Sequence, residues 1–261
     1  MKRIGVALGA GGAKGLSHIA FLQALDDLGV RPAVMAGTSI GAVIGAFYAA
    51  GVSGARLEQL VKEIGFRDLY KIFLDFSILS DSGIYKGKGV EDFLSREIPA
   101  RTFEEAQIPF KVVATNFWDR RQVVFDRGSL ITAIRASMAM PAIFEPVVLN
   151  DMVLVDGGAV NPLPYDLIRA ECDLTIAIDV SGEKTYAPGN PVPNMVESIL
   201  STFQIMQAAI VEAKKRLSPP DIYVKPALTN IRVLDFYRYK EILAGVQDEV
   251  QGFKDTLKNL L

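Results

Sequence analysis

The chain has 261 residues, half of them hydrophobic and 22% charged, with a formal net charge of −2. That content suits one α/β domain, residues 1–261, built round a covered sheet, and argues against a disordered or collagen-like chain. No block of Lys or Arg could track a phosphate backbone, which argues against nucleic acid as a partner, and no apolar run approaches the roughly 20 residues needed to cross a bilayer.

Residues 3–8 are short, apolar and bounded by glycine, so they predict a buried strand rather than a secretion signal, and a cytoplasmic location is expected. Gly9 to Gly15 form a loop into a helix that ends near Leu28, with Gly29 as its left-handed cap. A second strand, 32–36, runs into Gly37-Thr38-Ser39-Ile40-Gly41 and a helix over 42–50. Residues 53–98 read as mostly helical, with Leu57, Leu60, Val61 and Ile64 at helix spacing. A hairpin over 110–125 turns at Trp118-Asp119-Arg120-Arg121, Ser129 caps a helix to Ser137, and 147–149 with 152–155 predict a second hairpin through Asn150-Asp151. A strand over 174–180, a long helix over 195–217, a short strand over 222–224 and one final helix from Asp235 complete the order.

The Gly37-Xaa-Ser39-Xaa-Gly41 spacing places Ser39 at the apex of a strand–turn–helix, where only glycine fits the crowded flanks. Ser39 is therefore the candidate nucleophile, with the competing reading that Gly37 and Gly41 only permit tight strand–helix packing. The loop Gly9-Ala10-Gly11-Gly12-Ala13-Lys14-Gly15 lacks the register of a nucleoside-triphosphate loop, because Gly15 follows Lys14 where Ser or Thr is required. A dinucleotide site fits no better, since the second strand ends in Gly-Thr-Ser and not in an acid. Exposed amides of Gly11 and Gly12 beside Ser39 suit an oxyanion hole, with Gly9, Ala13, Lys14 and Gly15 shaping the same substrate-binding loop.

A Ser-His-Asp triad needs a histidine, and His18 is the only one. It lies inside the first predicted helix, where a packing role competes with a catalytic one. A carboxylate is the other available base, and Asp156 is the candidate, with apolar Val153, Leu154 and Val155 before it to raise its pKa and Gly157 and Gly158 after it to leave it uncrowded. Asp-Gly-Gly is also ordinary turn chemistry, so both readings stand. One Cys and one His make neither an internal disulfide nor an ordinary zinc site, and no metal or cofactor is expected.

Taken in order, Gly9-Xaa-Gly11-Gly12-Xaa-Lys14-Gly15, Gly37-Xaa-Ser39-Xaa-Gly41 and Asp156-Gly157-Gly158 resemble the patatin-like phospholipase family, as do Ala136-Ser137 to Pro141 and Asn161-Pro162-Leu163-Pro164. The resemblance implies a three-layer α/β/α sandwich with a mostly parallel central sheet, a Ser39–Asp156 dyad, the Gly-rich loop as oxyanion hole, and lipid acyl esters as substrates. Ala142 stands where many relatives have Gly, and Asn116 where many have Asp. Acyl transfer by the same dyad, or phosphate binding without catalysis, are the rival functions. Transient contact with a membrane surface and a homodimer are expected partners. The cluster Tyr70, Ile72, Phe73, Leu74, Phe76, Ile78 and Leu79 is either a lipid entrance or a core helix, and Ile199, Phe203, Met206, Ile210 and Leu217 are expected to cover the sheet or to form the dimer contact.

Overall fold

The computed structural model describes residues 2–73, 87–185, 189 and 192–261, without the side chains of residues 65–73. The cluster expected to form a lipid entrance, Tyr70 to Leu79, lies outside the described side chains.

Eight strands form one sheet: β1 (Ile4–Leu8), β2 (Val34–Thr38), β3 (Phe110–Asn116), β4 (Arg121–Phe125), β5 (Val147–Leu149), β6 (Met152–Asp156), β7 (Leu174–Ile178) and β8 (Ile222–Val224). Their order is β5-β6-β3-β2-β1-β7-β8, with β4 on the free side of β3. Strands β3, β2, β1, β7 and β8 are parallel, whereas β4, β6 and β5 join antiparallel. The helices are α1 (His18–Asp27), α2 (Ile40–Ala49), α3 (Gly54–Phe73), α4 (Lys88–Glu97), α5 (Leu130–Ser137), α6 (Met195–Leu217), α7 (Tyr239–Ala244) and α8 (Gln247–Leu260).

The central strands are apolar throughout because both their faces are covered. Alternation along them divides the interior in two. Val6, Leu8, Met35, Ile176 and Ile178 meet α1, α2, α5 and α8 on one face. Ala7, Val34, Ala36 and Ala177 meet Leu163, Tyr165, Ile168 and Val211 of α6 on the other. The alanines keep that second face low, so the 163–168 segment lies close to the sheet. Helices on both faces of a mainly parallel sheet give the α/β sandwich that the sequence predicts.

Two expectations change. Helix α6 buries Leu200, Gln207 and Val211, and of the expected stripe Phe203 and Ile210 are half-buried, Phe203 against the main core, while Ile199, Met206 and Leu217 are exposed; the helix is rotated from that stripe because Gln207 and Val211 face the turn after β6 and the second core. The tail is not one helix from Asp235. A single turn at Phe236–Arg238 precedes α7, and the chain breaks at Gly245 before α8, as glycine's low helix propensity allows.

Strand β3 positions the site. Its first half pairs with β2, ending at Thr38 opposite Val113, and on the same edge its second half pairs with β6, beginning with Asp156 opposite Ala114. The two strands run toward each other along β3, so their carboxyl ends meet one register step apart. Ser39 follows the end of one, and Asp156 ends the other.

Candidate active site

Ser39 has φ 56° and ψ −123°, a conformation that costs a residue with a side chain about 1–3 kcal/mol and persists only where its surroundings enforce it. Three contacts do so. The Ser39 N–H donates to Ser137 Oγ at 2.8 Å, and the Thr38 hydroxyl donates to the Asn161 carbonyl at 2.9 Å. At Gly41 a Cβ would lie 2.2 Å from the Leu8 carbonyl oxygen, so glycine alone lets α2 approach β1 closely enough to close the turn. Helix α2 starts at Ile40, directing its N-terminal amides and positive dipole end to the site.

Asp156 is fully buried. Its backbone is fixed by its N–H to the Ala139 carbonyl at 3.0 Å and by the Thr115 hydroxyl to its own carbonyl at 2.9 Å. Oδ1 accepts the Gly158 N–H at 2.7 Å, whereas Oδ2 is buried without a hydrogen-bond partner among the described residues. Burial raises the carboxyl pKa from 3.8 to about 6, against the opposing pull of the Gly158 amide and the nearby Ser39 hydroxyl. A buried carboxyl with that pKa, one unpartnered oxygen and the Ser39 hydroxyl nearby is a suitable proton acceptor near neutral pH.

The Gly-rich loop crosses the same edge of the sheet. Gly9, Ala10 and Ala13 donate their N–H groups to the carbonyls of Ile178, Pro162 and Val233. The amides of Gly11 and Gly12 have no partner among the described residues, and Gly12, at φ 59°, lines the cavity beside Ser39. Two free amides suit an oxyanion; with three amides already engaged, the loop offers a phosphate no full ring of donors. Lys14 points elsewhere. Its ammonium donates to the Ile231 carbonyl at 3.3 Å, and burial first, then Lys184, lowers its pKa to about 8 against the opposing pull of Asp235 and Asp179. It does not line the cavity at Ser39.

His18 is wholly buried, and burial lowers its pKa to about 4, so the neutral ring donates Nε2–H to the Gly9 carbonyl at 2.9 Å. It braces the start of the glycine loop. The cavity beside Ser39 is about 30 Å³ and apolar, walled by Met138, Met140, Ile143, Phe144, Val233 and Phe236. Ser137, whose hydroxyl holds the elbow amide, and Thr115, beneath Asp156, went unassigned in the sequence. Ser137 sits in a recognised motif, but only the packing of α5 against the elbow reveals its hydrogen bond. Nothing in the spacing marks Thr115.

The patatin-like phospholipase family model matches residues 6–168, spanning the glycine loop, Ser39 and Asp156. An uncharacterised NTE family protein of Mycobacterium tuberculosis is 36% identical over 203 residues, which are 76% of this chain and 55% of that protein. Lysophospholipase NTE1 of Saccharomyces cerevisiae is 28% identical over 276 residues, covering 92% of this chain and 16% of the yeast protein. The chain thus spans about half the length of its mycobacterial relative and a much smaller part of the yeast one. VipD from Legionella pneumophila has the same fold, with a TM-score of 0.52 at 15% identity over 96% of this chain and 67% of VipD. With the family model covering more than half of its length, the chain belongs to the patatin-like phospholipase family.

Proposed function

We propose that the protein hydrolyses acyl esters of lipids through a Ser39–Asp156 dyad, with single-chain lipids such as lysophospholipids as its substrate class. The observation that carries this reading is the convergence of β2 and β6 on one edge of β3, which brings a strained serine to a buried carboxyl of pKa about 6. Ser39 Oγ attacks the ester carbonyl as its proton passes to Asp156 Oδ2, and the amides of Gly11 and Gly12 hold the tetrahedral oxyanion. Collapse expels the lipid alcohol, which takes the proton from Asp156, and leaves Ser39 acylated. Water then attacks the acyl-enzyme, giving its proton to Asp156, and the fatty acid departs as the proton returns to Ser39.

The choice of lipid rests on two supports. The cavity beside Ser39 is apolar and narrow, and its two methionines can repack around a chain. The name lysophospholipase, carried by the yeast relative, agrees with this choice. No helix among the described residues is long and apolar enough to cross a membrane.

The test is labelling of the purified protein with an alkyl organophosphonate, the adduct mapped by mass spectrometry, alongside release of fatty acid from lysophosphatidylcholine. The expected result is one adduct on Ser39 and loss of both labelling and turnover in Ser39→Ala. An adduct elsewhere, or turnover that survives Ser39→Ala, refutes the proposal.

A further inference from the structure

The turn between β3 and β4 has no use in the site described above, yet it exposes the largest aromatic surface of the described residues. Phe117 is 51% exposed and Trp118 72% exposed, their rings edge to face with centroids 4.9 Å apart. Water-facing aromatics of this size are costly unless something covers them. The turn beneath them is well built. Asn116 Nδ2 donates to Asp119 Oδ2 at 2.7 Å, the Arg120 N–H donates to the Asn116 carbonyl at 2.9 Å, and Arg120 takes a left-handed φ of 56°. The aromatic pair is thus presented on a fixed hairpin end.

Arg120 and Arg121 follow at once, both exposed, and neither forms an ion pair among the described residues. Asp119 is tied back to Asn116. The adjoining β5–β6 hairpin adds Val148, 74% exposed, and the Phe117 N–H donates to the Val153 carbonyl across this junction at 2.8 Å. Its turn also carries Asp151, so the paired tips bear no net charge: two arginines against two aspartates.

We infer that the Phe117-Trp118 hairpin end is the part of the protein that docks on a phospholipid surface, with the aromatic pair in the interface and Arg120 and Arg121 on lipid phosphates. Trp beside Arg is the combination that favours this layer, since the ring is apolar with one polar edge and the guanidinium binds phosphate bidentately. Location strengthens the choice of occupant. Trp118 lies in the turn two residues beyond β3 and four residues along the chain from Ala114, the partner of Asp156, a span of at most about 13 Å at strand spacing, and at the end of the sheet where Ser39 follows β2. A membrane against this tip faces the site. Because the tip has no net charge, binding depends on phosphate contact at short range more than on bulk surface charge, and added anionic lipid should strengthen it only modestly.

The inference rests on the lipid reading of the site, and the test separates the two. Trp118 is the only tryptophan, so its fluorescence reports this turn alone. In the Ser39→Ala chain, which leaves vesicles intact, phosphatidylcholine vesicles are expected to shift its emission to the blue. Galactolipid vesicles, which lack phosphate, should shift it less. Arg120→Gln with Arg121→Gln keeps the probe and is expected to weaken vesicle binding severalfold, by removing the charge-assisted contacts to lipid phosphate. Trp118→Ala, followed by co-sedimentation, should weaken it about tenfold or more. On an otherwise wild-type chain, Trp118→Ala should keep its rate on a soluble short-chain ester and lose rate on vesicular lipid.

No blue shift, an equal shift with phosphate-free vesicles, or a shift without vesicles that grows with protein concentration overturns the docking proposal, the last by showing a second copy on the tip. Normal docking without ester hydrolysis by the wild-type chain overturns the catalytic reading and leaves docking in place. Loss of docking with hydrolysis intact does the opposite.

Discussion

Replacing Asp156 by Asn should abolish turnover and stabilise the fold, because the feature that makes the carboxyl basic also destabilises its charged form. Asp156 ionises near 3.8 in the unfolded chain and near 6 in the folded one. Its folded pKa is raised, so the stability it permits is full below about 3.8 and is lost as pH climbs through about 6. The difference corresponds to about 3 kcal/mol at pH 8. Asn keeps an oxygen for the Gly158 amide and carries no charge to desolvate. At about 2–4 °C per kcal/mol for a chain near this size, Asp156→Asn should melt roughly 6–12 °C higher at pH 8, with the gap closing toward pH 4. The assay is paired thermal or urea unfolding of both proteins across that range, with ester hydrolysis measured on the same samples. A variant that is inactive and less stable at pH 8, or a gap that does not change with pH, would refute the argument that burial tunes this group.

The elbow offers a parallel case: Ser39→Gly removes the side chain from a strained backbone and should be inactive yet about 1 kcal/mol more stable by urea titration. Ser137→Ala leaves the Ser39 amide unpartnered in a buried place, so it should cost about 1–3 kcal/mol and lower kcat more than it raises KM. In the wild type, kcat/KM should rise with pH through about 6 as Asp156 loses its proton. That limb should persist in a folded His18→Gln variant, and a limb that vanishes there would make the histidine the base. His18 itself, with its folded pKa lowered to about 4, lends stability that is present above its unfolded value near 6.5 and lost as pH falls through 4. The His18→Gln protein should therefore lose less stability on acidification than the wild type. Met140→Phe should shrink the cavity beside Ser39 and lower kcat/KM for long-chain esters relative to short ones by roughly tenfold.

Most strands and helices were legible because their signals are local. Asn150-Asp151 between two short apolar runs gives a hairpin whose two turn residues take φ 49° and 61°, and Ser129 does cap α5 through the Thr132 amide. The elbow was legible too, since strand, glycine, serine, glycine and helix follow one another within the chain. What spacing left open was the nature of Asp156-Gly157-Gly158: the structure shows the turn, with Asp156 capping a short helical turn through Gly158, and leaves its other oxygen buried and unpartnered among the described residues, as the proposed base requires. Periodicity cannot see this, because the register of β3 decides it. The rotation of α6 was hidden for a similar reason: Gln207 looks like a surface residue until Gly158 is found beneath it, where a Cβ would lie 1.9 Å from its side chain. The orientation of Lys14 was also out of reach, for its partner, the Ile231 carbonyl, lies 217 residues away.

If Ser39 and Asp156 act together as proposed, the seam on β3 also couples activity to folding. Ser39 and Asp156 are separated by more than a hundred residues, and neither strand that carries them pairs with the other; both are measured off a third. Pairings across such separations form late, because the chain between them must be closed first. On the proposed dyad, a nascent or partly refolded chain would hold an intact elbow with no base beside it, its serine inert toward esters until β6 joins β3. With the dyad as proposed, recovery of hydrolysis during refolding should report the pairing of β6 with β3.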